Sequence, residues 1–333
     1  MSNPFVFEIE TGGDYEAPEW DAASFESQQY DYESVESAAG DGGDREFTEE
    51  EVQYSIIISP TSPGDSRFCV PASDTTTPSS KKFPFNTICF IEIDRGKGFV
   101  AGGSGNLIAP QVVLTARHVL LDNAGKPEPK VRVTPGADLS ASGSANRTPA
   151  KPGNLVADKS RLRWSAKYDY GVIILPKPFA NPSKFYMLEP SRKLVAGNFL
   201  NVAGYPCDKA KGTMWAHYEP VLLTGVSATH LKYTMDTCPG HSGSPVWIKF
   251  PSGVRCQVAV HTSGVSPVTP ETRCKNDPAK KKCIATPPGS PATPVSGTNA
   301  GVYITCDVIK DIFKWCDEFK VKRPSVAASF SRC

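Results

Sequence analysis

The stretch Met235-Asp236-Thr237-Cys238-Pro239-Gly240-His241-Ser242-Gly243-Ser244-Pro245-Val246-Trp247 decides how the chain is read. Small residues crowd both sides of Ser242. Gly240 lets the backbone bend so that the amides of Gly240 and Ser242 point at one spot, and Gly243 keeps the hydroxyl uncovered. That is how a nucleophile is presented beside an oxyanion hole. The same composition also suits an ordinary Gly/Ser/Pro turn between two strands. Choosing between them requires a base and an orienting acid elsewhere in the chain.

Upstream, Val112-Val113-Leu114-Thr115-Ala116-Arg117-His118-Val119-Leu120 sets a histidine just past an apolar strand. A lone histidine there is more often a packing residue than a base. Tyr168-Asp169-Tyr170-Gly171-Val172-Ile173-Ile174-Leu175 sets a carboxylate at the mouth of a strongly apolar strand. Burying Asp169 is costly unless it is hydrogen-bonded or paired, and an imidazole N–H is a suitable partner. The order His118, Asp169, Ser242, with separations of 51 and 73 residues, matches the chymotrypsin-like arrangement, in which the triad sits in a cleft between two β-barrels.

The rest of the chain fits that class. Its 333 residues hold 30 Pro and 27 Gly, which speaks for many turns and few long helices. Short apolar strands are expected at 87–93, 98–101, 104–108, 112–115, 130–133, 161–165, 172–175, 199–204, 215–226, 231–235, 245–249, 254–262 and 301–305, spaced as in a sandwich or barrel. Residues 134–154 read as a surface loop. Val308, Ile312, Trp315 and Phe319 recur at helical spacing, which predicts a helix over 307–319 sealing a barrel. The spacing alone points to an all-β fold, and the similarity of the triad order to the chymotrypsin-like arrangement implies two six-stranded antiparallel β-barrels, here with a C-terminal helix.

Of the 35 acidic and 36 basic residues, 16 acids and only Arg45 fall in residues 1–54, which leaves 19 acids and 35 bases beyond. An acidic arm thus precedes a basic body. Three segments are expected: a disordered acidic extension over 1–54, serving as propeptide or export segment; a linker over 55–84; and a peptidase domain over 85–333. The arm lacks the apolar periodicity needed to offset ordering entropy. No aromatic-basic module appears, so nucleic acid is not expected as a partner, and no run of 18 apolar residues appears, so no membrane span is expected. Ten cysteines are numerous for a reducing compartment, and their even number permits full pairing. None forms a CxxC pair, which speaks against a zinc site, and neither a metal nor another cofactor is expected. Met1-Ser2-Asn3-Pro4-Phe5 shows no signal-peptide pattern, yet the cysteines favour an exported, extracellular protein.

On these residues the sequence resembles the chymotrypsin-like serine peptidases, and among them the bacterial glutamyl endopeptidases. Besides the three motifs above, the resemblance is carried by Phe83-Pro84-Phe85, Gly204-Tyr205-Pro206-Cys207-Asp208-Lys209, Gly212-Thr213-Met214-Trp215 and Asn299-Ala300-Gly301-Val302. It implies a serine endopeptidase acting on protein or peptide substrates. Ser242 would be the nucleophile, His118 the general base, Asp169 the orienting acid, and the Gly240 and Ser242 amides the oxyanion hole. It also implies that Thr237 and His261 hold a Glu (less well Asp) side chain at P1. Asp236 keeps an alternative open, since trypsins bind Arg or Lys with a carboxylate there. A second alternative, from another class, is a peptidase-like binding protein without activity. His241 stands where trypsins carry the Asp that pairs with a new N-terminus, so activation by that route is not expected. Instead the acidic arm would inhibit the body as in a zymogen, with processing between about Glu51 and Arg67; Glu51-Val52 would suit self-cleavage. The tract 265–297 is an insertion in which Cys274 and Cys283 pair together, or one of them pairs with Cys238. Val119 replaces a cysteine that many relatives carry, which removes one common bridge.

Overall fold

The computed structural model describes residues 67–70, 79–139, 153–190, 199–220, 228–250, 254–263 and 299–333. The acidic extension with its processing region, the 265–297 tract with Cys274 and Cys283, and most of the expected 134–154 loop lie outside the described residues.

Two curled antiparallel sheets form the body. The first contains β2 (Ile88–Asp94), β3 (Phe99–Ala109), β4 (Val112–Thr115), β5 (Lys130–Pro135), β6 (Leu155–Asp158), β7 (Leu162–Trp164) and β8 (Gly171–Ile174), in the order β6-β5-β2-β3-β4-β8-β7. The second contains β1 (Phe68–Val70), β10 (Phe199–Gly204), β11 (Met214–Pro220), β12 (His230–Tyr233), β13 (Pro245–Lys249), β14 (Arg255–Ser263) and β15 (Asn299–Tyr303), in the order β1-β11-β10-β13-β14-β15-β12. The two-residue β9 (Met187–Leu188) adds a parallel pairing to β14. Among the described residues the helices are α1 (Arg117–Leu120) and the C-terminal α2 (Cys306–Glu318), besides short 3-10 turns.

Among the described residues the sheets hold seven and eight strands where six and six were expected, the additions being β1, β6 and β9, each of two to four residues. The expected strands 98–101 and 104–108 are one strand, β3. Its register to β2 shifts where Ile91 faces Gly103 and Glu92 faces Ala101, so Gly102 is an unopposed bulge residue. A Cβ at Gly102 would lie 2.4 Å from Ile93 Cδ1, so the small residues that looked like a break let the strand bend over its neighbour.

Each sheet buries one apolar face. Leu107, Leu114, Val133, Leu162 and Ile173 pack within the first sheet, and α2 lays Val308, Ile309, Ile312 and Trp315 on the same core. Thr305 caps that helix by accepting from Val308 N (3.3 Å), and Asp307 sits favourably in its first turn. Val202, Leu231, Val246, Ile248 and Val258 fill the second sheet. Between the sheets Phe90 meets Tyr205 at 5.2 Å and Phe85, which leads into β2, meets Trp247 at 6.2 Å. Burying rings of this size supplies the largest apolar share of the joint.

Full pairing of the cysteines is not what the structure shows. Cys306 bonds Cys333, and Cys207 is disulfide-bonded, but Cys89, Cys238, Cys256 and Cys316 are thiols. Cys89 and Cys256 are fully buried in apolar surroundings, so burial pushes their pKa values up and they behave as small hydrophobes. Pairing of Cys238 with the 265–297 tract is therefore not observed.

Candidate active site

Strand register brings His118 and Asp169 together. Val112–Thr115 pairs with Gly171–Ile174 so that Thr115 faces Gly171. His118 follows Thr115 by three residues and Asp169 precedes Gly171 by two, so both lie at the same end of one strand pair. Gly171 also lets β7 lie close against this end of β8, since a Cβ there would come within 2.5 Å of Arg163 O. His118 Nδ1–H donates to Asp169 Oδ2 (2.7 Å), and the His118 backbone N–H donates to the other oxygen (3.0 Å). Burial pushes the Asp169 carboxyl up, but the hydrogen bonds and charge of His118, with Arg117 nearby, hold it below its ordinary value. The His118 side chain remains about half exposed. Behind the pair, the Tyr170 hydroxyl donates to Asp311 Oδ2 of α2 (2.5 Å), tying the C-terminal helix to the acid's own loop.

Ser242 is carried on a loop locked from three directions. His241 N donates to Cys238 O (3.0 Å) and Ser244 N to His241 O (2.8 Å), making two consecutive turns. From β14, His261 O accepts from Gly243 N (2.7 Å) and His261 N donates to Ser244 O (2.9 Å). From the first sheet, Ser104 N donates to Ser242 O (2.8 Å), and Ser104 Oγ donates to Gly240 O (2.7 Å) while accepting from Tyr205 N (2.9 Å). Thr115 Oγ1 in turn donates to Ser104 O (2.7 Å). The strand that leads to His118 and the loop that bears Ser242 are thus joined through one buried serine.

Gly240 and Gly243 hold positive φ values of 102° and 87°. A Cβ at Gly243 would sit 2.1 Å from both Ser104 O and Thr115 Oγ1, so the loop touches the first sheet with bare backbone. Among the described residues, the amides of His241, Gly243 and Ser244 are all hydrogen-bonded, whereas those of Gly240 and Ser242 have no protein acceptor. No hydrogen bond joins Ser242 Oγ to the His118 ring among the described residues, as is common before substrate tightens such a site.

His241 is fully buried. Its Nδ1 accepts from Cys238 N (3.1 Å) and its Nε2 lies 3.5 Å from Trp215 O. Burial, with the nearby Arg67 charge, lowers its pKa to about 4, so it is a neutral brace for the loop. Arg67 itself pairs with Asp208 in a bidentate, part-buried contact beside this loop. The position that looked informative for its departure from trypsins is thus a packing element here.

Thr237 and His261 are also buried, at 4% and 3% exposure. Burial, then the charges of His241 and His118, lower the His261 pKa to about 3. Asp236 is half-buried, and its backbone N–H donates to His217 Nδ1 (2.7 Å). Ser104, Tyr233 and the Arg67–Asp208 pair were not singled out from sequence. Ser104 was visible only as part of the small-residue run Gly102-Gly103-Ser104-Gly105, which read as strand and turn. Among the described residues no cluster of three or more His, Cys, Asp or Glu is disposed to hold a metal ion.

Two packed antiparallel sheets, with a histidine–carboxylate pair on one and a glycine-braced serine loop on the other, have the double-barrel architecture of the chymotrypsin-like fold. Residues 96–249 match the trypsin-like peptidase domain. The chain is 30% identical over 199 residues to the glutamyl endopeptidase of Bacillus licheniformis, covering 57% of this chain and 59% of that one. It is 28% identical over 207 residues to the extracellular metalloprotease of Bacillus subtilis, covering 61% and 64% respectively. It is 24% identical over 188 residues to a glutamyl endopeptidase of Staphylococcus epidermidis, covering 54% and 60%. The chain thus spans 59 to 64% of the length of the curated relatives it matches. A solved Glu endopeptidase in complex with MPD shares the fold, with TM-score 0.50 and 21% identity over 76% of this chain and 97% of that one.

Proposed function

We propose that this protein is a serine endopeptidase that hydrolyses peptide bonds through Ser242, His118 and Asp169, with preference for Glu, and less so Asp, at P1. Ser242 Oγ attacks the scissile carbonyl while His118 Nε2 takes its proton and later delivers it to the leaving amine. Asp169 keeps the His118 proton on Nδ1 and stabilises the imidazolium that forms. The oxyanion of each tetrahedral intermediate binds the Gly240 and Ser242 amides, and each such donor is worth on the order of 3 kcal/mol in enzymes of this type. Water then attacks the acyl-enzyme by the reverse route.

The observation that carries this reading is the double hydrogen bond from His118 to Asp169, ring N–H to one oxygen and backbone N–H to the other. A packing histidine has no use for a half-buried carboxylate clasped in that way. For the P1 preference, support comes from the buried Thr237 and His261, from the backbone ties between His261 and the Ser242 loop, and from the names of two relatives as glutamyl endopeptidases. Work outside the cell is part of the proposal, in keeping with the Cys306–Cys333 bridge.

Ser242→Ala should fold with unchanged melting temperature, lose turnover and lose labelling by a fluorophosphonate probe. Turnover by a clean Ser242→Ala preparation would refute the mechanism. Failure of the wild-type protein to label would favour a peptidase-like binding protein without activity. Matched chromogenic peptides ending in Glu and in Arg should be split in favour of Glu; selective cleavage of the Arg peptide would give the pocket to Asp236.

A further inference from the structure

One buried hydrogen bond plays no part in the mechanism above. The Tyr233 hydroxyl and His261 Nδ1 lie 2.5 Å apart, and the two rings are tilted against each other at 5.8 Å between centroids. Both side chains are buried. Tyr233 ends β12 opposite Asn299 of β15, and His261 on β14 lies opposite Gly301 of the same strand. Residues paired across antiparallel strands share a face, and so do residues two apart along a strand. Tyr233 and His261 therefore lie on one face, with the bare backbone of Gly301 between their strands. Because the His261 backbone bonds both Gly243 and Ser244, this ring is held in fixed relation to the nucleophile loop.

Burial keeps His261 neutral, so its ring carries a single N–H and the tautomer decides which nitrogen can donate. A phenol is a much stronger acid than a neutral imidazole N–H, and an imidazole nitrogen is the better acceptor. The Tyr233 O–H accordingly donates to Nδ1, which leaves the ring proton on Nε2. Among the described residues that nitrogen makes no hydrogen bond.

We propose that Tyr233 is a positioning residue for P1 selectivity: by donating to His261 Nδ1 it presents Nε2–H as a donor to an acidic P1 side chain. The proposal rests on the reading of His261 as a P1 contact. In the opposite tautomer a bare lone pair would face the substrate and repel a carboxylate. A donor without charge still favours Glu over Gln, because a hydrogen bond to a carboxylate is about twice as strong as one to an amide oxygen.

The test compares the full-length wild type with Tyr233→Phe in three measurements. These are kcat/KM for matched peptides ending in Glu and Gln, the His261 tautomer by NMR of protein labelled with 15N at histidine, and the rate of fluorophosphonate labelling of Ser242. The wild type should show Nε2–H. Tyr233→Phe should give a mixture of tautomers, a Glu-to-Gln ratio lower by about tenfold through KM, and an unchanged labelling rate. An unchanged ratio and an unchanged tautomer in Tyr233→Phe would overturn the proposal. Should the variant also label slowly, the wild-type spectrum decides, since a bare Nε2 there overturns it as well. If the wild type itself does not favour Glu over Gln, the P1 reading has failed, and that outcome is distinguished by the wild-type ratio alone.

Discussion

Asp169 makes two hydrogen bonds that need the same charge state, and this fixes what a minimal change would do. In Asp169→Asn the amide still has one oxygen to accept from the His118 backbone N–H, but its NH2 group faces the ring nitrogen. The ring then gives up its Nδ1 proton and holds it on Nε2, where it can no longer accept from Ser242. Shape and volume are conserved, so the fold should be retained while kcat falls by about 10⁴-fold, as expected when the wrong tautomer is locked in. Steady-state kinetics beside a melting curve check this; a loss of less than tenfold would remove Asp169 from the machinery. The pair was legible in the sequence because each partner sits at the end of an apolar strand, where a buried polar side chain needs a reason. Tyr233 was not legible, because a tyrosine that alternates with Leu231 on a strand reads only as core, and its reach to His261 depends on a pairing through β15 that no local pattern encodes.

At the scale of elements, the Ser242 loop is a contact made of backbone. Gly243 is wedged against Ser104 O and Thr115 Oγ1, so Gly243→Ala demands both an unfavourable φ and a displacement of main chain on the first sheet. Strain of this kind costs on the order of 1–3 kcal/mol. Because the loop must move to relieve it, activity should fall far more than stability does: we expect fluorophosphonate labelling slowed by at least 100-fold with a fold that still melts cooperatively. Labelling within threefold of wild type would mean the loop tolerates a side chain and is not held as described. The core strands Val112–Thr115, Phe199–Gly204 and Pro245–Lys249 could be read from their apolar runs to the residue, and α2 to within one residue at each end. What escaped was short or interrupted. The segment Phe68–Val70, expected within a linker, is held by pairing with β11 and by the Arg67–Asp208 contact rather than by any pattern of its own. Likewise β3 hid behind its glycines, which signal a turn locally and a bulge in context.

For the whole molecule, the joint between the sheets carries two buried histidines, and their protonation links the site to global stability. The pKa of His241 is lowered to about 4 and that of His261 to about 3, each chiefly by burial, against an ordinary value of 6.5. A folded pKa below the unfolded one means that the unfolded chain binds protons the folded one refuses. The contribution is therefore fully present above pH 6.5 and is lost as pH falls through the folded values, with up to two protons taken up on unfolding between about pH 6.5 and 4. Asp169 and Asp208, both held below the ordinary carboxylate value by their cationic partners despite burial, act in the same direction at lower pH: their contribution is present above the ordinary carboxylate range and disappears as they protonate. The melting temperature should thus be level from pH 8 to 7 and decline steadily from about pH 6.5 downward, at pH values where ordinary surface carboxylates are still ionised. The measurement belongs on Ser242→Ala protein, to exclude self-digestion. In that background His241→Gln should melt lower at pH 7 but show a shallower decline between pH 6.5 and 4, because one of the two refusing groups is gone. A melting temperature independent of pH from 7 to 4.5 would show that neither histidine is kept neutral by burial, and the brace assigned to His241 would fall with it.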